Sequence, residues 1–265
     1  MQRKETFDHA AKIYDASRPS YPNEVIDWIV QRTGVRKEDR LLEIGPGTGQ
    51  ATFKFAERGY KIHCVERGRN LAKILQEKGA DYDLKVDVSD FEKWQMKIPF
   101  NTSFIFSATA FHWLDPTVKY KKCYDLLEDK GYLVLLWHVA PKTQLDEVKK
   151  AYDLLWEYYP EREEMSKSSH QLIAERKQEI ENSGYFVLED YLDYRWKLYE
   201  SRAQLTKSFF SQSSFIALDS EKQKVLRAKV IDLYQSIDDP LAADMHTTVY
   251  IARKKEGLEG ESESE

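Results

Sequence analysis

Residues 41–50 read LLEIGPGTGQ, an apolar run of Leu41, Leu42 and Ile44 interrupted by Glu43 and followed by glycines at every second position, Gly45, Gly47 and Gly49. The run predicts a buried strand. Glycines stand where a backbone turns sharply or approaches a ligand without a Cβ in the way, so the strand end is read as a ligand site. A dinucleotide fingerprint, G-x-G-x-x-G, would need a glycine where Gln50 stands, and a Walker-type phosphate loop would need a lysine in register after Gly49. Neither requirement is met.

The flanking sequence alternates between helix and strand signals. QATFKFAER, 50–58, reads as a helix closed by Gly59, and KIHCVE, 61–66, as the second strand. Glu66 then arrives about 20 residues after the glycines, where a doubly wound fold places an acid for ribose hydroxyls; a solvated acid at a strand end is the plainer alternative. YDLKVDV, 82–88, reads as the third strand and brings Asp87 to the same edge, as a ligand acceptor or as the N-cap of a short helix near Asp90. TSFIFS, 102–107, reads as the fourth strand and runs into ATAFHWLDP, where Phe111, His112 and Trp113 precede a helix over 116–128. Aromatic residues on a strand-tip loop suit a substrate, and His112 could take a proton from a hydroxyl or amine or be satisfied by a backbone group under the loop.

Beyond these, 131–139 reads as a fifth strand, 170–182 as a helix closed by Gly184, YFVLEDY as the start of another strand and 246–253 as a final one. Segments 141–169 and 198–245, the latter with the amphipathic EKQKVLRAKVIDLY, exceed what the connections need and read as helical cover over the site.

Three motifs together resemble a known family. E-x-G-x-G-x-G resembles motif I of the class I S-adenosylmethionine-dependent methyltransferases. A-F-H-W at the fourth strand tip and Y-x-x-x-R-P-x-Y-P over 14–22 resemble the small-molecule group of methyltransferase type 11 and trans-aconitate methyltransferase-like enzymes. The resemblance covers residues 7–139 by motif and 184–253 by strand order alone. It implies an α/β fold: a doubly wound, seven-stranded, mostly parallel Rossmann-like sheet with an antiparallel seventh strand and a helical lid insertion, one domain over 1–253. It implies S-adenosyl-L-methionine as cofactor, held by Tyr14, Arg18, Glu43, Gly45, Gly47, Gly49, Glu66, Arg67, Asp87, Val88, Ser107 and Ala108, with helices over 7–30 covering it. Phe111, His112 and Trp113 would meet the substrate, His112 being the candidate catalytic residue. Arg18 could equally sit in a surface ion pair at a helix end. No D/N-P-P-Y motif and no Pro-Cys occur at the fourth strand tip, which speaks against methylation of a nucleobase amine or of a cytosine ring carbon.

Composition narrows the partners. The chain has 265 residues, 42% apolar and 32% charged, with net charge −5, which leaves no phosphate-binding footprint and favours a small-molecule substrate over nucleic acid. Two cysteines suggest no disulfide framework and fit a reducing cytoplasm. The six histidines lack metal-ligand spacing, and no apolar run reaches membrane-spanning length. The acidic tail over 254–265 is expected to be disordered. Subunit number and acceptor identity stay open, as do two other classes: an NAD-dependent oxidoreductase on a related sheet, and a catalytically inactive cofactor-binding protein.

Overall fold

The computed structural model describes residues 15, 18–96, 102–139, 145–160 and 169–257. Seven strands form one sheet: β1 (Arg40–Ile44), β2 (Lys61–Glu66), β3 (Leu84–Val88), β4 (Thr102–Ala108), β5 (Leu127–Val139), β6 (Phe186–Glu200) and β7 (Leu241–Lys254), in the order β3-β2-β1-β4-β5-β7-β6. β1 to β5 run parallel, while β7 is antiparallel to both β5 and β6. The chain leaves β1 for β2 on one side and later returns to β4 on the other. At such a reversal, beyond the carboxyl ends of β1 and β4, open α/β sheets place the crevice that binds ligands.

Helices cover both faces. α1 (Asn23–Thr33) ends at Gly34, whose φ of 63° lets its N–H bond the Val30 carbonyl. Its Val25, Ile26 and Ile29 pack with Phe55 of α2 (Thr52–Ala56) and Leu75 of α3 (Arg69–Lys78) against Phe104, Phe106, Val134 and Leu136. On the opposite face Tyr120 and Cys123 of α4 (Lys119–Leu126) and Ile180 of α6 (Ser169–Asn182) cover Ile105, Leu133, Leu135 and Tyr250. Strands buried on both sides have no room for alternation, which is why β1 and β4 read as apolar runs.

The two long insertions pack on each other. Val148, Ala151 and Leu155 of α5 (Asp146–Trp156) share a third apolar cluster with Phe209 and Phe210 of α7 (Arg202–Phe210), Phe215 of α8 (Ser213–Ile216), and Leu226, Val230 and Tyr234 of α9 (Ser220–Tyr234). Leu241 and Ala243, from the far end of the β6–β7 ribbon, join it.

Several boundaries differ from the sequence reading. The helix expected over 50–58 is regular only from Thr52 to Ala56, because Gly49 at φ 99° belongs to the turn before it. The helix expected over 116–128 is Lys119–Leu126, and β5 begins at Leu127. β6 and β7 pair from Phe186↔Lys254 to Glu200↔Leu241, so 198–200 and 241–245 are strand, not helical cover. The residues 258–265 and the entry residues up to Tyr14 lie outside the described residues.

Candidate active site

The glycine turn leaves β1 with three positive backbone angles: φ is 66° at Gly45, 60° at Gly47 and 99° at Gly49. Two of these glycines are required by the protein's own packing. A Cβ at Gly45 would lie 2.6 Å from the Ala110 Cβ, and one at Gly49 would lie 2.2 Å from the Phe53 ring. Gly47 donates its N–H to Glu66 Oε2 at 2.9 Å, and Gly68 donates to Glu66 Oε1 at 2.7 Å. The carboxylate at the tip of β2 thus ties the glycine turn to the start of α3.

Glu43 lies beneath this turn with no exposed surface. Its Oε2 accepts the Thr52 hydroxyl at 2.5 Å and the Cys64 thiol at 3.8 Å, while Oε1 has no hydrogen-bond partner. Burial, helped by the Glu66 charge and opposed by those two bonds, pushes its pKa up to about 8. Glu43 therefore supports the turn from below. The expectation that its side chain meets the cofactor is corrected.

Asp87 is the last but one residue of β3, opposite Val65. Its Oδ2 accepts from the His63 imidazole and the Trp94 indole, each at 2.8 Å. Burial alone would raise its pKa, but those bonds and the His63 charge outweigh it and hold the carboxyl below the usual range. Asp87 caps no helix; it is an ionised acceptor held in one orientation. Next to it Val88 exposes 48% of its surface, an apolar face at a strand tip. Arg67 pairs with Asp90 at 3.0 Å, and both line a cavity of about 590 Å³ that reaches Trp113, Leu114 and Pro116 beyond β4.

The β4 tip divides the remaining candidates. Ser107 is fully buried and donates to the Ile44 carbonyl at 2.8 Å, stitching β4 to β1. Phe111 is 1% exposed, edge-on to Tyr120 at 5.2 Å with the Lys119 ammonium 4.9 Å from its ring centre. Neither side chain faces the crevice, so Ser107 as a cofactor contact and Phe111 as a substrate contact are both corrected. Ala108 and Trp113 are half-buried and His112 is exposed. Between them Thr109 holds φ 54°, an uncommon angle for a residue with a Cβ, and its Oγ1 lies 2.8 Å from the Tyr21 hydroxyl.

That bond belongs to an entry segment laid across the strand tips. Ser20 donates to the Gln50 carbonyl at 3.1 Å, and Tyr21 stacks on His138 of β5 at 4.1 Å. The Arg18 charge acts on His138 of β5 and on Tyr152 of α5. Tyr14 lies outside the described residues.

The ribosomal RNA adenine dimethylase family matches residues 21–112, from the entry segment through the β4 tip. An uncharacterized methyltransferase of Schizosaccharomyces pombe is 25% identical over 142 residues, 52% of this chain and 54% of that protein. One of Mycobacterium tuberculosis is 27% identical over 141 residues, 50% and 52%. The chain thus spans about half the length of the curated relatives it matches. Among solved structures, the Haemonchus contortus phosphoethanolamine N-methyltransferase 2, bound to phosphomonomethylethanolamine and S-adenosylhomocysteine, aligns at TM-score 0.53 with 17% identity, over 97% of this chain and 61% of that one. The cyclase SpnF aligns at 0.58 with 16% identity, over 97% and 96%. At such identities the two structures speak to fold alone. The β3-β2-β1-β4-β5-β7-β6 order with its antiparallel β7 carries the glycine turn and Glu66 within the stretch that the family model matches. In fold, and in sequence over about half of its length, the chain is similar to the class I S-adenosylmethionine-dependent methyltransferases.

S-adenosylmethionine is the cofactor of that class. In this chain the structure gathers Gly45, Gly47, Gly49, Glu66, Arg67, Asp87, Val88 and Ala108 at adjoining strand tips. Sequence reasoning missed the residues that orient them. His63 sits inside a strand and Trp94 follows Asp87 by seven positions, spacings that carry no motif. His138, Thr247 and Trp196 meet through the Thr247 hydroxyl, at 3.1 Å from His138 Nδ1 and 3.0 Å from the Trp196 indole nitrogen, and come from three strands far apart in sequence. No cluster of three or more His, Cys, Asp or Glu able to hold a metal occurs among the described residues, and no described helix is long and apolar enough to cross a membrane. Both cysteines are buried free thiols.

Proposed function

We propose that this methyltransferase transfers the methyl group of S-adenosylmethionine to a small-molecule acceptor in the cytoplasm. The observation that carries the proposal is the bonding of Gly47 and Gly68 N–H groups to the two oxygens of Glu66. It fixes an acceptor-only group beside the glycine turn, which suits vicinal hydroxyls, while exposed Val88 and oriented Asp87 suit the face and the exocyclic amine of adenine. Gly47, Glu66, Asp87 and Val88 would hold the cofactor, and Arg18 and the Tyr21 segment would close over it. When bound, the cofactor supplies an electrophilic methyl carbon on a positively charged sulfur.

The protein's part is alignment. A lone pair of the acceptor forms the new bond to the methyl carbon in line with the sulfur, and the old carbon–sulfur pair returns to sulfur. Effective molarities of about 10⁵ to 10⁸ M for aligned reactants make positioning sufficient for much of the rate. Support for a small acceptor comes from the net charge of −5, from the absence of D/N-P-P-Y, and from α5, α7 and α9 packing as one body at the end of the β6–β7 ribbon. The adenine dimethylase match ends at residue 112, before that body begins, so it concerns the cofactor half.

Calorimetry with S-adenosylmethionine, S-adenosylhomocysteine and NAD tests the reading, followed by a screen of cell metabolites with labelled cofactor. Binding of the first two without NAD is expected. NAD binding alone would instead favour an oxidoreductase, against which Gln50 stands in place of the third fingerprint glycine. Cofactor binding with no labelled product from any metabolite would favour a catalytically inactive binder.

A further inference from the structure

His112 is the exposed ring nearest the end of β4, and its geometry decides what it can do. The Trp137 indole N–H donates to His112 Nδ1 at 3.2 Å. An indole nitrogen can only donate, so Nδ1 carries a lone pair. In a neutral imidazole the hydrogen then resides on Nε2, and a protonated ring would set one N–H against another.

The surroundings hold the ring in that neutral state. The Arg176 guanidinium of α6 lies 4.1 Å from the centre of the Trp137 ring, and Lys119 of α4, paired with Glu179, packs on Phe111 next to His112. Desolvation of the ring's inner edge against the protein comes first, although the residue as a whole stays exposed, and the charges of these two cations add to it, depressing its pKa to about 4. Among the described residues, Nε2 makes no hydrogen bond within the protein.

We propose that Trp137 is a positioning residue that fixes His112 as its Nε2–H tautomer, so that His112 donates a hydrogen bond to the methyl acceptor instead of removing its proton. The inference rests on the methyl-transfer reading and narrows it. The atom held by His112 bears a lone pair and no proton to surrender, as a carbonyl oxygen or an oxyanion does. A protonated amine meets an N–H and two nearby cations there and is rejected. The nucleophile reaches the site with its lone pair available, and no base on the β4 loop is required.

Nuclear magnetic resonance on the full chain carrying ¹⁵N-labelled histidine reads the tautomer directly, with His112→Gln identifying the signals. The Nε2–H form is expected to persist from pH 8 to below pH 6. Trp137→Phe keeps a ring in the core but deletes the N–H; mixed tautomers and a His112 titration moved up by at least one pH unit are expected. An Nδ1–H form, or an imidazolium already half-formed near pH 6.5 in the unaltered protein, overturns the proposal.

The donor role is read from methyl incorporation into a deproteinised metabolite extract with labelled cofactor. His112→Gln, which places an amide N–H close to the Nε2 position, is expected to keep at least a tenth of the rate, whereas acceptor-only His112→Glu is expected to lose a hundredfold or more. A glutamate variant as active as the glutamine variant, equal loss included, overturns the donor role. Calorimetry with S-adenosylhomocysteine on the same samples separates the two levels. Failure of the unaltered protein to bind it removes the methyl-transfer reading and leaves the tautomer result standing on its own.

Discussion

Gly47 is the residue at which conformation and ligand chemistry meet. Its φ of 60° costs a side chain about 1–2 kcal/mol, and its N–H already serves Glu66. Gly47→Ala is therefore expected to lose stability by that amount and to weaken S-adenosylhomocysteine binding at least tenfold, because the strained turn disturbs the bond that orients Glu66. Gly59 supplies the control. Its φ is 85° and a Cβ there would meet nothing within 4 Å, so Gly59→Ala carries a similar conformational cost away from the site. Isothermal calorimetry and urea unfolding of both variants check this: equal loss of affinity in the two would make the Gly47 effect one of stability alone. Gly45 and Gly49 are poorer probes, since Ala110 and Phe53 already fill the space that a side chain would need.

Among the elements, the helical body over the β6–β7 ribbon has its own apolar cluster, in which Phe209 is 2% exposed and edge-on to Tyr152, Phe210 and Tyr234. Phe209→Ala should cost about 3–5 kcal/mol, but within that cluster and not within the sheet. Hydrogen exchange is expected to speed up across 146–156 and 202–234 while β1, β4 and β5 keep their protection. Uniform loss of protection would show that body and sheet unfold as one unit. The same elements explain what sequence could reveal. β1, β2 and β4 are buried on both faces and announce themselves as apolar runs, whereas 196–200 and 241–245 form strand only by pairing with each other across about 40 intervening residues, contacts that no local pattern records. The order of glycines and acids was legible for a similar reason: each lies at the end of a strand that reads clearly. Whether a side chain there points up or down was not. Glu43 and Phe111 look alike in sequence to crevice residues, and only Thr52, Cys64, Tyr120 and Lys119, brought by other elements, show that they point into the core.

For the whole molecule, the buried acid at the centre of the sheet and the histidines of β2, β5 and the β4 loop impose opposite pH dependences. Glu43 is held near 8 against an ordinary value of 4.5, so between those limits the unfolded chain has released a proton that the folded chain keeps. Stability then falls as pH rises through that window and levels off above about 8. His112 and His138 are each depressed from 6.5 to about 4, and His63 is lowered as well, in each case by burial first. Unfolded histidines bind protons that the folded ones refuse, so this contribution is complete above 6.5 and is lost as pH falls towards 4. The two effects oppose each other below 6.5, but from 6.5 to 8 the Glu43 slope acts without them. Unfolding free energy is accordingly expected to drop by roughly 2 kcal/mol across that upper window. Glu43→Gln, which cannot ionise and still accepts the Thr52 hydroxyl, should flatten the drop while leaving the acid-side loss intact. Urea titrations at pH 6.5, 7.2 and 8 measure the slope, and a decline of equal steepness in both proteins would mean that Glu43 is already ionised beneath the glycine turn at neutral pH.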